Sequence, residues 1–143
     1  MVGLIDGSLS TLAPIFSVAI VSHKPLYAFA AGLATSIGAA ISMAFSEGLS
    51  DTGELTGRGN PALRGSITGA GTFLGGILHT LPFLWPNYHA AIVTAVVVVA
   101  FELVALAWIR WKFFGTSFVK SLGLVSAAGA VIAVVGALVG AGV

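Results

Sequence analysis

The sequence has no cysteine and few charged residues among its 143 positions. Without cysteine, disulfide bridges, thiolate zinc sites and iron–sulfur clusters are excluded, so any metal must bind through oxygen, nitrogen or thioether donors. Only 8% of the residues are charged, against about 25% in an ordinary soluble domain. The net charge of +1 is too small to indicate a nucleic-acid partner. No nucleophile and base pair or phosphate-binding loop indicates an enzyme.

Apolar residues are abundant, and the mean hydropathy is +1.06. Long apolar stretches cover about residues 4–23, 26–49, 62–84, 88–113 and 117–142. Each is close to the roughly 20 residues that a helix needs to cross about 30 Å of hydrocarbon. We therefore expect an all-α integral membrane protein, with residues 1–143 forming one domain of five transmembrane helices. A secretory signal peptide is not expected, because no basic leader precedes the first apolar stretch.

The distribution of basic residues predicts the orientation of this domain. Cytoplasmic loops carry an excess of lysine and arginine. Placing the N-terminus in the cytoplasm leaves only Lys24 outside and puts five basic residues inside: Arg58, Arg64, Arg110, Lys112 and Lys120. In that orientation Asp6 and Glu47 both lie near the cytoplasmic end, where we expect them to meet.

Three carboxylates, those of Asp6, Glu47 and Glu102, lie within or at the ends of the apolar stretches. An acid at membrane depth is costly and usually faces a partner, an ion or a cavity. Exposure of Glu102 to lipid would cost several kcal/mol, so it must face inward, where it is protonated, hydrogen-bonded or paired. The other two acids have simpler alternatives: a favourable charge at a helix N-terminus for Asp6, and an interfacial carboxylate that reaches water for Glu47.

Met43 lies one helical turn before Glu47. Carboxylates alone suit magnesium or calcium, whereas a thioether favours a softer divalent ion such as Fe²⁺, with Mn²⁺, Co²⁺ and Zn²⁺ as competitors. We therefore expect Asp6, Met43 and Glu47 to form a metal site near the cytoplasmic end. Carboxylates that bind either a metal ion or protons would couple metal release to proton uptake.

Two further features suggest a path through the helices. Pro14 leaves the carbonyl of Ser10 without its usual donor, and a freed carbonyl can bind a cation, although a simple kink is the alternative. His79 could bind metal or relay protons, or it could be a hydrogen-bonded structural histidine. Glu102, His79 and Ser10 are thus the candidates for a metal or proton relay. Glycines four residues apart, such as Gly65 and Gly69, or Gly136 and Gly140, predict close helix contacts.

Several motifs together resemble the vacuolar iron transporter family. They are Asp6-Gly7 with residues 9–12 in the first span, residues 42–44 with Glu47 in the second, and Asn60-Pro61 and residues 81–83 at the ends of the third. Residues 55–59, and Gly75-Gly76 with residues 79–84, are most similar to the membrane domain of the bacterial membrane-bound ferritin-like iron exporters.

The resemblance implies a homodimer in the bacterial inner membrane that moves Fe²⁺ out of the cytosol against protons, along a path near the dimer interface. Family residues that line this path match Asp6 and Met43, and Glu47 falls within the same motif. No cofactor is implied beyond the transported metal. Glu102 is a candidate from its burial cost and not from the family pattern.

The sequence departs from the vacuolar members in one respect: only residues 50–61 stand where those members carry a cytosolic metal-capture domain. Capture would then depend on Asp51 and Glu54, or on a ferritin-like domain upstream of the first span or on a separate chain. Two alternatives remain open. One is that the chain is a membrane anchor for a cytosolic ferritin-like partner and transports nothing. The other is that it is a proton-coupled exporter of organic cations.

Overall fold

A computed structural model describes residues 1–54 and 56–143, and these residues are all-α, as predicted. Leu55, the first residue of the motif at positions 55–59, lies outside the described residues. The helices are α1 (Val2–Ser10), α2 (Leu12–Ser22), α3 (Pro25–Leu49), α4 (Pro61–Leu78), α5 (Tyr88–Phe114) and α6 (Phe118–Ala141). A short 3₁₀ helix, Leu81–Leu84, lies between α4 and α5.

The ends of the helices follow from local chemistry. Proline is the first residue of both α3 and α4, where its missing N–H costs nothing and its fixed φ suits the first turn. The side chain of Asn60 accepts hydrogen bonds from the amides of Ala62 and Leu63 at the start of α4. Gly115 ends α5 with a φ of 64°, a left-handed conformation that glycine adopts at low cost.

Among the described residues, four helical segments are long and apolar enough to cross a membrane: Val2–Ser22, Pro25–Leu49, Tyr88–Phe114 and Phe118–Ala141. The first of these combines α1 and α2. The expected third span, residues 62–84, is not one continuous helix, because α4 ends at Leu78 and the chain continues as a 3₁₀ helix. Arg64 and five glycines lower the hydropathy of α4, so its place as a membrane span stays a prediction.

Close glycine contacts fix the direction of α1 relative to α4. Gly3 packs against the backbone of Thr68, and Gly7 packs against the backbone of Thr72 so closely that a side chain at either position would overlap a carbonyl oxygen. Four residues along α1 thus correspond to four residues along α4, in the same direction. The two helices are parallel neighbours, and the small residues allow their backbones to touch.

Similar contacts orient the other helices. Gly65 and Gly69 of α4 pack against the backbone of α3 at Ala44 and Ala40, so these two helices are antiparallel. Gly136 and Gly140 of α6 lie against Ala13 and Ser17 of α2, which makes α6 parallel to α2. Both predicted close contacts are confirmed. One end of the bundle, which we call the entry end, therefore holds the starts of α1, α4 and α6 and the loop between α3 and α4.

The apolar core lies toward the opposite end. It is built from small side chains around one large ring, with these members: Ile15, Ala19, Ala28, Phe83, Ala91 and Ala95. Phe83, from the 3₁₀ helix, is only 1% exposed. Large apolar side chains remain exposed along the outer faces of the helices, among them Leu26, Phe45, Phe101 and Val119. Such a surface suits lipid better than water.

Candidate functional site

The first apolar segment is interrupted near its middle. Thr11 separates α1 from α2, and its hydroxyl donates a hydrogen bond to the carbonyl of Gly7 over 2.9 Å. Pro14 has no N–H, so the carbonyl of Ser10 cannot receive its usual helical bond. The hydroxyl of Ser10 is buried and has no hydrogen-bond partner among the described residues. The first apolar stretch, expected as one span with Pro14 near its middle, is therefore interrupted at Thr11.

A buried polar network crosses the bundle at this break. The Thr11 hydroxyl lies 2.7 Å from Nε2 of His79, and Nδ1 of His79 lies 2.9 Å from Oε2 of Glu102. The side chains of His79 and Glu102, which we call the buried pair, are 1% and 6% exposed. Residues from α1–α2, α4 and α5 are thus linked through one imidazole ring. Glu102 faces inward and is hydrogen-bonded, as its burial cost predicted.

Each member of the network is positioned by its element. His79 follows the last residue of α4, and the backbone N–H of His79 bonds to the carbonyl of Ile77, which begins the turn into the 3₁₀ helix. Glu102 lies on the buried face of α5, one turn before Leu106. The second oxygen of Glu102, Oε1, is buried and has no hydrogen-bond partner among the described residues. The network therefore retains one unused acceptor in the interior.

Glu47 lies at the entry end and is held by two arginines. Its Oε1 accepts hydrogen bonds from Arg58 over 2.9 Å and from Arg64 over 3.1 Å. Arg64 also donates to the carbonyls of Asp51 and Gly59, so that it ties the α3–α4 loop to the end of α3. The sequence analysis did not predict these arginines as partners of Glu47. The signal available in the sequence was the presence of two arginines soon after an acid at the end of a helix.

Asp51, a predicted capture residue, is already engaged within its own loop. Its carboxylate accepts hydrogen bonds from the Thr56 hydroxyl and the Gly53 amide. These bonds, with the hydroxyl of Thr56 contributing most, hold the pKa of Asp51 below its ordinary value. Glu54, the other predicted capture residue, is exposed. Asp51 therefore orders the loop, and the side chain of Glu54 is the more exposed of the two.

The structure places Asp6, Met43 and Glu47 at three different heights within one chain. Glu47 is level with Arg64, whereas Asp6 lies beside the glycine that packs on Thr72, two helical turns or roughly 12 Å farther along α4. Met43 lies one turn before Glu47 and hence between the two acids. Within a chain Glu47 bonds to Arg58 and Arg64. Its expected meeting with Asp6 stays a prediction, and so does their joint metal site with Met43.

Within residues 1–54 and 56–143, no three histidine, aspartate or glutamate side chains are grouped so that they could hold a metal ion. Asp6 and Met43 are each partly buried. No protein-family model, no curated protein and no solved structure matches the chain.

Proposed function

We propose that this chain is the membrane domain of a transporter that moves a divalent metal ion, with Fe²⁺ as the preferred cargo, out of the cytosol in exchange for protons. The observation that carries the proposal is the buried pair of His79 and Glu102 beside the break in the first span. Ionisable residues inside a membrane bundle mark ion or proton pathways. Interrupted helices are typical of the sites at which transporters bind ions.

The order of polar residues along the bundle supports a stepwise path. Glu47 lies at the entry end, Met43 one turn farther in, and Asp6 beyond it, while His79 is about 15 residues past Arg64 along α4, or roughly 22 Å. Carboxylate oxygens combined with a thioether suit a borderline divalent ion such as Fe²⁺. Single ligands at successive heights favour passage of the ion over its storage.

The proposal includes five spans, with the N-terminus in the cytoplasm, and a homodimer. In this proposal α4 is one of the five membrane spans. Its glycine face is covered by α1 on one side and by α3 on the other, and this burial compensates for its lower hydropathy. A second copy of the chain would supply the additional ligands that a single Asp6 and a single Met43 lack. The resemblance to the vacuolar iron transporter family supports both points.

The test is metal flux into proteoliposomes that contain the purified chain, with a metal-sensitive dye inside and Fe²⁺ kept reduced outside. Asp6→Asn and Met43→Ala should each abolish the flux while the protein remains folded and keeps its oligomeric state. Ser46→Ala, an exposed position on the same helix outside the motif at residues 42–44, is the matched control and should retain it.

Flux that both substitutions leave unchanged would remove Asp6 and Met43 from the path. A wild-type chain that moves no metal would contradict transport and favour the membrane-anchor alternative. Flux of organic cations that divalent metals do not compete with would favour the third class of function.

A further inference from the structure

We propose that His79 and Glu102 together bind the proton that is exchanged for the metal, and that the Thr11 hydroxyl communicates their protonation state to the break between α1 and α2. This inference rests on the proposed function and specifies where its proton binds. The proton site is then separate from Asp6, Met43 and Glu47, the residues proposed to meet the metal.

The first step concerns which nitrogen of His79 carries hydrogen. The Thr11 hydroxyl has a single proton, and it donates that proton to the Gly7 carbonyl. It must therefore act as the acceptor toward His79, which requires hydrogen on Nε2. The contact of 2.9 Å between Nδ1 and Oε2 then needs a second proton, carried either by the imidazole or by the carboxyl group. In this arrangement the buried pair has bound a proton and has no net charge.

The second step concerns loss of that proton. The hydrogen bond between His79 and Glu102 survives only if the remaining ring hydrogen is on Nδ1, where it can be donated to the carboxylate. Nε2 then becomes an acceptor, and the neighbouring hydroxyl, that of Thr11, must turn its proton toward the ring. The Gly7 carbonyl loses its bond from Thr11. Each protonation state of the pair thus corresponds to one orientation of a single hydroxyl.

This orientation bears directly on the first span. Gly7 follows Asp6 and is pressed against the backbone of Thr72, and the Thr11 hydroxyl is a donor that bridges the end of α1 across the break. Releasing that donor frees α1 to tilt at Thr11, where Pro14 has already removed a backbone bond from the Ser10 carbonyl. The position of Asp6 is therefore linked to the proton on the buried pair.

Electrostatics explains why proton and metal alternate. Once deprotonated, the buried pair has a net charge of −1 in a medium of low dielectric, which is costly unless a cation is near. Oε1 of Glu102 is buried without a hydrogen-bond partner in the described part of the chain and is the oxygen free to face an incoming proton. A divalent ion on the path thus stabilises the deprotonated pair, and a bound proton stabilises the pair when no metal ion is on the path.

The charged and titratable groups on the elements around this pair are few. They are Asp6 on α1, His23 and Lys24 between α2 and α3, Tyr27 and Glu47 on α3, Arg64 on α4, Tyr88, His89, Arg110 and Lys112 on α5, and Lys120 on α6. Glu47 and Arg64 are paired with each other. Asp6 lies five residues, or roughly 8 Å, before Thr11 along the first span, whereas Arg110 lies eight residues, or roughly 12 Å, beyond Glu102 along α5. Asp6 is therefore the nearest charged residue along the two helices that hold Thr11 and Glu102.

The proposal is tested on the full chain in lipid vesicles by two independent measurements. Nitrogen NMR of ¹⁵N-histidine distinguishes the two ring tautomers, and His79→Gln identifies the His79 signals against those of His23 and His89. We expect Nε2 of His79 to lose its hydrogen as the pH is raised, and Glu102→Gln to abolish this change. The second measurement records metal and proton fluxes together in proteoliposomes.

In the flux measurement, Thr11→Val should let metal move down its own gradient with loss of the proton counterflow, whereas Thr11→Ser, which retains the hydroxyl, should stay coupled. Thr35→Val is the matched control: Thr35 bonds to the carbonyl four residues back on α3, and its loss should leave the coupling unchanged. If Thr11→Val exchanges metal for protons at the wild-type ratio, the inference is wrong.

The two proposals fail in different ways. A His79 that keeps one tautomer across the titration, in a chain that still exchanges metal for protons, overturns the proton site and leaves transport standing. A tautomer change in a chain that moves no metal overturns the transport proposal instead.

Discussion

Glu102 is stable in the bundle interior because His79 is its hydrogen-bond partner, and the imidazole is in turn held by Thr11. The two side chains of the buried pair are only 1% and 6% exposed. Removing one partner of such a pair leaves the other buried without a hydrogen bond, which costs more than the bond itself contributes.

This asymmetry gives a stability prediction. Glu102→Leu should lower the free energy of unfolding by about 1–3 kcal/mol, because Nδ1 of His79 would remain buried without a partner. The double variant Glu102→Leu, His79→Leu should lose less than the single one, since both polar groups are gone. Unfolding in mixed micelles of detergent and lipid measures both. A double variant less stable than the single one would show that the network is not the source of the effect.

The residues also show what sequence could and could not supply. The inward orientation of Glu102 follows from the cost of lipid exposure, and is seen. The sequence did not identify the hydrogen-bond partner of Glu102, because His79 lies 23 positions away and only the turn through the 3₁₀ helix brings its ring back to α5. Glu47 was predicted near the metal, yet its closest partners are arginines. Helical periodicity places residues on one helix and says nothing about which loop folds over its end.

At the scale of the helices, glycines decide the packing. The contact of α1 with α4 depends on Gly7, which has no room for a side chain against Thr72. This contact sets the register that brings Thr11 to His79. The spacing of small residues predicted such contacts between helices but not the partners, because small residues four apart occur on several helices at once.

Gly7→Ala should therefore destabilise the protein by about 1–3 kcal/mol, the usual cost of overpacking, because α1 must move away from α4. It should also weaken proton coupling, because the distance from Thr11 to His79 would increase. Gly38→Ala is the matched control, since a side chain there meets open space, and it should leave stability unchanged or slightly raised. Thermal unfolding in detergent compares the two. Equal stability of both variants would contradict the close-packed interface.

Pro14 predicted a freed carbonyl or a kink in the first span, whereas the interruption between α1 and α2 falls at Thr11, three residues earlier. The third span was only partly foreseen. Residues 62–84 read as one apolar stretch, yet the chain turns at His79 and Thr80 before Pro82. Hydropathy does not register this turn, because the residues on both sides of it are apolar.

For the whole molecule, the fold consists of a few long apolar helices whose polar groups lie in the interior. The entry end has an acid held by arginines, the middle of the bundle has the buried pair of His79 and Glu102 at a helix break, and the far end is closed by Phe83 and small apolar residues. The central claim is that this arrangement exchanges a divalent metal for protons.

The most direct measurement is metal movement against its own gradient. Proteoliposomes that contain the wild-type chain are loaded with equal Fe²⁺ inside and outside, the membrane potential is clamped to zero, and a pH difference is imposed. The account predicts that Fe²⁺ accumulates on the acidic side as protons leave it, and that reversing the pH difference reverses the direction. Fe²⁺ that stays at equal concentration on both sides, whatever pH difference is applied, would contradict it.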